Sequence, residues 1–96
     1  MQHYFKVVAA RVSKRIDLHK QTLRDVPGDT MTLIENLEQL RLDENHILTI
    51  PGEIKNVAAS LTVLTLSQNR LVSLAPEVAM LNHLETLALD HNDFTS

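Results

Sequence analysis

The chain contains no cysteine, so no disulfide can staple its ends or close its loops. That absence favours a reducing compartment, and a cytoplasmic, intracellular location is the expectation. Glycine is almost missing too: with only Gly28 and Gly52, no glycine-rich loop can cradle a phosphate. The three aromatic residues, Tyr4, Phe5 and Phe94, all stand near the ends. The middle therefore lacks the aromatic anchors that dominate many binding hot spots. No apolar run approaches the roughly 20 residues that span a bilayer. The first residues show no apolar stretch and cleavage site of a secretory signal.

Charge is divided unevenly along the 96 residues. Through Arg24, the six basic residues Lys6, Arg11, Lys14, Arg15, Lys20 and Arg24 face one acid, Asp17. Beyond it, Arg41, Lys55 and Arg70 face eleven acids. Nucleic-acid binding needs a basic stripe, which this acidic remainder does not offer, so no nucleic-acid partner is expected. The basic start is read as attracted to the acidic body behind it. Membrane contact through that segment is the sharper alternative and is not the expectation.

What the chain has in abundance is a spaced pattern. In Leu61 to Leu71 (LTVLTLSQNRL), leucines stand at positions one, four and six, an asparagine at nine, and leucine at eleven, with Leu74 at fourteen. Leu37, Leu40, Leu42, Asn45, Ile47 and Ile50 repeat it upstream, and Leu84, Leu87, Leu89, Asn92 and Phe94 downstream. A weaker copy, Ser13, Ile16, Leu18, Gln21, Leu23 and Val26, precedes them, so the units start at 13, 37, 61 and 84, with the last one incomplete. A period of 20 to 29 residues places the chain among stacked repeats.

In an extended segment successive side chains face opposite sides, so Leu64 and Leu66 point one way and Val63, Thr65 and Ser67 the other. One unit cannot bury its leucines alone. Stacking places Ile16 and Leu18, Leu40 and Leu42, Leu64 and Leu66, and Leu87 and Leu89 in one core, under a parallel sheet. At the turn off each strand, backbone groups near the core lack sheet partners, and a buried amide can satisfy them. Asn45, Asn69 and Asn92 are expected to stack as that ladder, with Gln21 forming a looser first turn.

From Ser13 to its end the chain resembles the leucine-rich repeat family. Proline after position fourteen, in Val26-Pro27 and Ile50-Pro51 and one place later as Ala75-Pro76, is similar to the intracellular Ras-group-related subclass. The resemblance implies an α/β fold: a right-handed solenoid with a short parallel concave sheet and convex short helices or turns. It also implies a protein-interaction module whose partner is another protein held on the concave face.

Around that skeleton, residues 1–12 fall outside the repeat. Phe5, Val8, Ala9 and Val12 make one apolar helical stripe, read as an amphipathic helix capping the first unit. Helical spacing on the convex side recurs at Ile54, Val57 and Ala58, at Val78 and Leu81, and less regularly at Met31, Leu33 and Ile34. At the far end, the β-edge of the last unit has three readings: a fragment of a longer protein, closure against another copy as a homo-oligomer, or a frayed last unit. The fragment reading is preferred.

The outward positions carry the function. Position three presents Arg15, Gln39, Val63 and Thr86; position five presents Asp17, Arg41, Thr65 and Ala88; position seven presents His19, Asp43, Ser67 and Asp90. The N-terminal half is charged, and Asp17 and Arg41, His19 and Asp43, and Lys20 and Glu44 are cross-strand neighbours of opposite sign. They serve either to satisfy each other, at about 0 to 1 kcal/mol per exposed pair, or as a recognition patch. Four strands offer less than the roughly 800 Å² per partner of a standard interface unless flanking loops add to it. Catalysis is not expected. His19, Asp43, Asp90 and His91 are spread over strands too far apart to share one metal, and Ser67 with His91 lacks an oriented base and an oxyanion hole. No cofactor is implied.

Overall fold

A computed structural model of the chain describes residues 13–32 and 36–94. The N-terminal stripe, and Leu33 and Ile34 of the first convex segment, lie outside them. The ordered frame is a four-stranded parallel sheet in chain order: β1 (Arg15–Asp17), β2 (Gln39–Arg41), β3 (Val63–Thr65) and β4 (Thr86–Ala88). Arg15 pairs with Gln39, Gln39 with Val63, and Val63 with Thr86, so each repeat position lies beside its equivalent in the next unit. Pairing runs on past the short strands. Leu18 N–H donates to Arg41 C=O at 2.8 Å and Lys20 N–H to Asp43 C=O at 3.1 Å. The same two bonds recur from Leu42 and Glu44 to the third unit, and from Leu66 and Gln68 to the fourth.

Alternation decides which side is core. Ile16, Leu40 and Leu64, the central residues of their strands, are buried together with Leu18, Leu42 and Leu66. Ile47, Leu61 and Leu71 complete an apolar interior, and Met31, Ile54 and Val57 close it from the convex side. The fourth unit departs from the continuous core expected of it. Leu87 is 42% exposed where its equivalents Leu40 and Leu64 are 0% and 1%, and Leu89 is only partly buried. Leu74 is likewise exposed, whereas Val26 and Ile50 at the same repeat position are buried. Leu40 and Leu64 are each flanked by a strand on both sides, whereas β4 has no strand beyond it among the described residues, so Leu87 is flanked on one side.

The convex connections are short because little chain remains once strand and turn are made. A single α-helical turn spans Asp29–Thr32, and 3₁₀ helices span Gly52–Val57 and Pro76–Met80. Proline opens both 3₁₀ segments, Pro51 as the flanking residue and Pro76 in the first turn, where a missing N–H costs nothing. A 3₁₀ helix rises about 2.0 Å per residue against about 1.5 Å for an α-helix, so few residues reach across the convex side.

One backbone feature recurs in every unit. Lys20, Glu44, Gln68 and His91, all at position eight, take φ of 55°, 58°, 58° and 59°. This left-handed kink turns the chain off the sheet and brings position nine inward. None of the four is glycine, so each accepts roughly 1–2 kcal/mol of steric cost.

Candidate interaction surface

Behind that kink the asparagines fill the turns. The Asn45 side-chain NH₂ donates to the carbonyls of Leu18 (3.0 Å), Leu42 (2.9 Å) and Asp43 (3.2 Å), while its Oδ1 accepts from the Gln21 and Leu23 amides. Asn69 repeats the pattern one unit on, donating to Leu42, Leu66 and Ser67 carbonyls and accepting from Ile47 N–H at 3.0 Å. Asn92 does so again, toward Leu66, Leu89 and Asp90, and accepts from Leu71 N–H. At the equivalent place the Gln21 side chain donates, among the described residues, to the His19 carbonyl alone, at 3.2 Å. These turns hold the ends of the strands, and so fix the face that the strands present.

On that face the rows of positions three, five and seven run across the sheet in register. Arg15, Asp17 and His19 are exposed, and Gln39, Arg41 and Asp43 half-buried. Val63 and Ser67 are half-buried, Ala88 is half-buried, and Thr86 and Asp90 are exposed. Thr65 differs from its expected outward role. Flanked in register by Arg41 and Ala88, this short side chain is 5% exposed, and its Oγ1 is buried without a hydrogen-bond partner among the described residues.

The charges are engaged locally. Asp17 Oδ1 lies 2.6 Å from His19 Nδ1 and also accepts the His19 backbone N–H at 3.1 Å, an interaction within one unit. Lys20 Nζ approaches Glu44 Oε2 to 3.4 Å, joining the first and second units. Asp43 is tied down rather than free: its Oδ1 accepts the Ser67 backbone N–H at 2.8 Å. The Ser67 hydroxyl in turn donates to Asp90 Oδ1 at 2.5 Å, so Asp43, Ser67 and Asp90 form a chain across three units. The Ser67 hydroxyl first, then a backbone hydrogen bond at Asp90 itself, and last the neighbouring His91 charge hold the Asp90 carboxyl below its ordinary 3.8, against a small desolvation effect. His91 Nδ1 stands 4.0 Å from Asp90 Oδ2 on the exposed side. With its proton directed to a carboxylate, Ser67 is a structural bridge. Among the described residues, no group of three His, Cys, Asp or Glu side chains is placed to hold a metal ion.

A second concavity lies off the sheet, where Arg24, His46, Leu48 and Arg70 line a groove of about 380 Å³. Reading only strand positions overlooks it. Its signal was present at repeat positions ten and twelve, where His46 and Arg70, and Arg24 and Leu48, recur one unit apart.

Residues 36–57 match the family model described as Leucine Rich Repeat. The matched stretch holds β2, Asn45 and the first 3₁₀ helix, which together make one unit. Among curated proteins no match is found. The family match supports a leucine-rich repeat protein, and a small parallel sheet backed by short 3₁₀ helices fits that kind of fold. Such repeats generally mediate protein–protein interaction and are typically non-enzymatic.

Proposed function

We propose that the chain is a right-handed, solenoid-like repeat module of the intracellular Ras-group-related subclass that binds a partner protein on its concave sheet. The observation that carries this is the in-register arrangement of Arg15 and Gln39, Asp17 and Arg41, and Val63 and Thr86 on the face opposite the buried leucines. A rigid frame with side chains free to vary is how stacked repeats gain specificity. The graded face matches a partner with an apolar or small-residue segment over Val63 and Ala88 and a charged one over Arg15 and Arg41. The cysteine-free composition supports a reading of cytoplasmic residence.

The test is capture from cell lysate by the wild-type chain and by an Arg15→Glu/Arg41→Glu variant, read by mass spectrometry. Asp43 is left intact because it anchors the Ser67 amide. Protein captured by wild type and lost by the folded variant supports the concave face; equal capture by both overturns it.

A second reading, self-association through the β4 edge, is favoured by the exposure of Leu87 and Phe94 and by a groove of about 610 Å³ lined by Ser73, Leu74, Leu89, Asp90 and Phe94. A mass that rises with concentration, and stays at the monomer value in Leu87→Lys, supports it.

A further inference from the structure

The turns that leave the strands are tied to one another by a repeated backbone bond. His46 N–H donates to Leu23 C=O at 2.7 Å, and Arg70 N–H to Ile47 C=O at 2.9 Å. Position twelve of one unit is thereby set next to position ten of the following unit, which puts Arg24 with His46 and Leu48 with Arg70 along one groove. The same row continues with Thr22 before it and Asp93 after it, the latter held by its own bond to Leu71 C=O. Arg24 and Arg70 are both exposed, and among the described residues neither is in an ion pair.

Beyond Arg24 this chain has only three basic side chains, yet Arg70 is one of them and it shares a groove with Arg24 and His46. We propose that this groove binds a phosphate monoester carried on an apolar stem, as in a phosphorylated tyrosine of a partner protein. Two guanidiniums bring two permanent positive charges, which a carboxylate half-neutralises and a phosphate monoester of about −1.5 to −2 matches. Their planar forks donate in pairs to phosphate oxygens. Leu48, 51% exposed in the same groove, is of no use to a bare inorganic ion and covers an apolar stem. An aromatic stem also stacks on guanidinium. The site lies on the turn edge and is separate from the concave face.

The experiment is a ¹H–¹⁵N titration of the full chain, including arginine side-chain signals, at constant ionic strength. The probes are phenyl phosphate, inorganic phosphate and benzoate, followed by a phosphotyrosine peptide and its unphosphorylated form. Expected are saturable shifts confined to Arg24, His46, Leu48 and Arg70, with phenyl phosphate tighter than either other small probe by about tenfold or more. The phosphopeptide should move the same signals and the unphosphorylated peptide should not. Arg24→Gln and Arg70→Gln should each weaken phenyl phosphate by about tenfold or more, Leu48→Ser should bring it to the level of inorganic phosphate, and the exposed convex-side Lys55→Ala should leave phenyl phosphate binding unchanged. All four side chains are exposed or half-buried, so the variants keep the fold, and an amide spectrum unchanged elsewhere verifies it. Shifts that do not saturate, equal binding of benzoate or inorganic phosphate, or a phosphopeptide that leaves the groove unmoved would each overturn the proposal.

Discussion

Replacing Asn69 with leucine keeps a branched side chain of similar outline, though a bulkier one, and removes every hydrogen bond the amide makes. Asn69 is 6% exposed, so water cannot easily substitute. Its Oδ1 accepts the buried Ile47 N–H, and its NH₂ donates to Leu42, Leu66 and Ser67 carbonyls. The losses are unequal. Leu42 C=O keeps Asn45 and Leu66 C=O keeps Asn92 as second donors. Ile47 N–H keeps nothing, and an orphaned buried donor costs about 1–3 kcal/mol. Adding a modest loss at the shared carbonyls gives about 2–4 kcal/mol, which lowers the melting temperature of a domain this size by roughly 10–30 °C. Asn92→Leu should cost less, because its unit is half-exposed and water reaches the freed groups. Circular-dichroism melts of wild type, both variants and an exposed Lys55→Ala control measure this. An Asn69→Leu melt within error of wild type would refute the reasoning, and so would an Asn92→Leu loss as large as that of Asn69→Leu.

Three further outcomes are expected. Thr65→Val removes a buried hydroxyl that has no partner and should raise stability by about 1 kcal/mol, seen as a higher urea midpoint; a lower one contradicts the unsatisfied Oγ1. Gln68→Gly relieves left-handed strain and should stabilise by up to about 1 kcal/mol, while Gln68→Val should destabilise; equal melts would show the φ of 58° to be costless. Asp90, with its folded pKa below 3.8, contributes stability that is present above that value and lost as pH falls through the folded pKa. Ser67→Ala should raise the Asp90 pKa toward 3.8, and carboxyl-carbon titration by NMR showing no difference between the two proteins would sink the assigned cause.

The register was legible because leucine spacing encodes it directly: the 24- and 23-residue offsets are the pairings of Arg15 with Gln39 and Val63 with Thr86. The side of the sheet that Leu64 faces, and the presence of short helices after Pro51 and Pro76, were readable for the same reason. The kink at position eight was not, since Lys20, Glu44, Gln68 and His91 share no composition that announces a positive φ. Thr65 and Asp43 show another limit. Alternation assigns a side chain to a face, but neighbours on adjacent strands decide whether it is covered, and a carboxylate there can be consumed by a backbone amide. Arg24 and Arg70 are far apart in the chain, and only the stacking of turns brings them to one groove.

The concave face is tested most directly by amide hydrogen exchange of the chain alone and in complex with a protein it captures. Binding there predicts slowed exchange in residues that border the outward rows, at His19, Asp43, Ser67 and their neighbours, and little change on the convex helices or at Arg24, His46 and Arg70. Protection confined to the turn edge or to β4, with the rows unchanged, would contradict it.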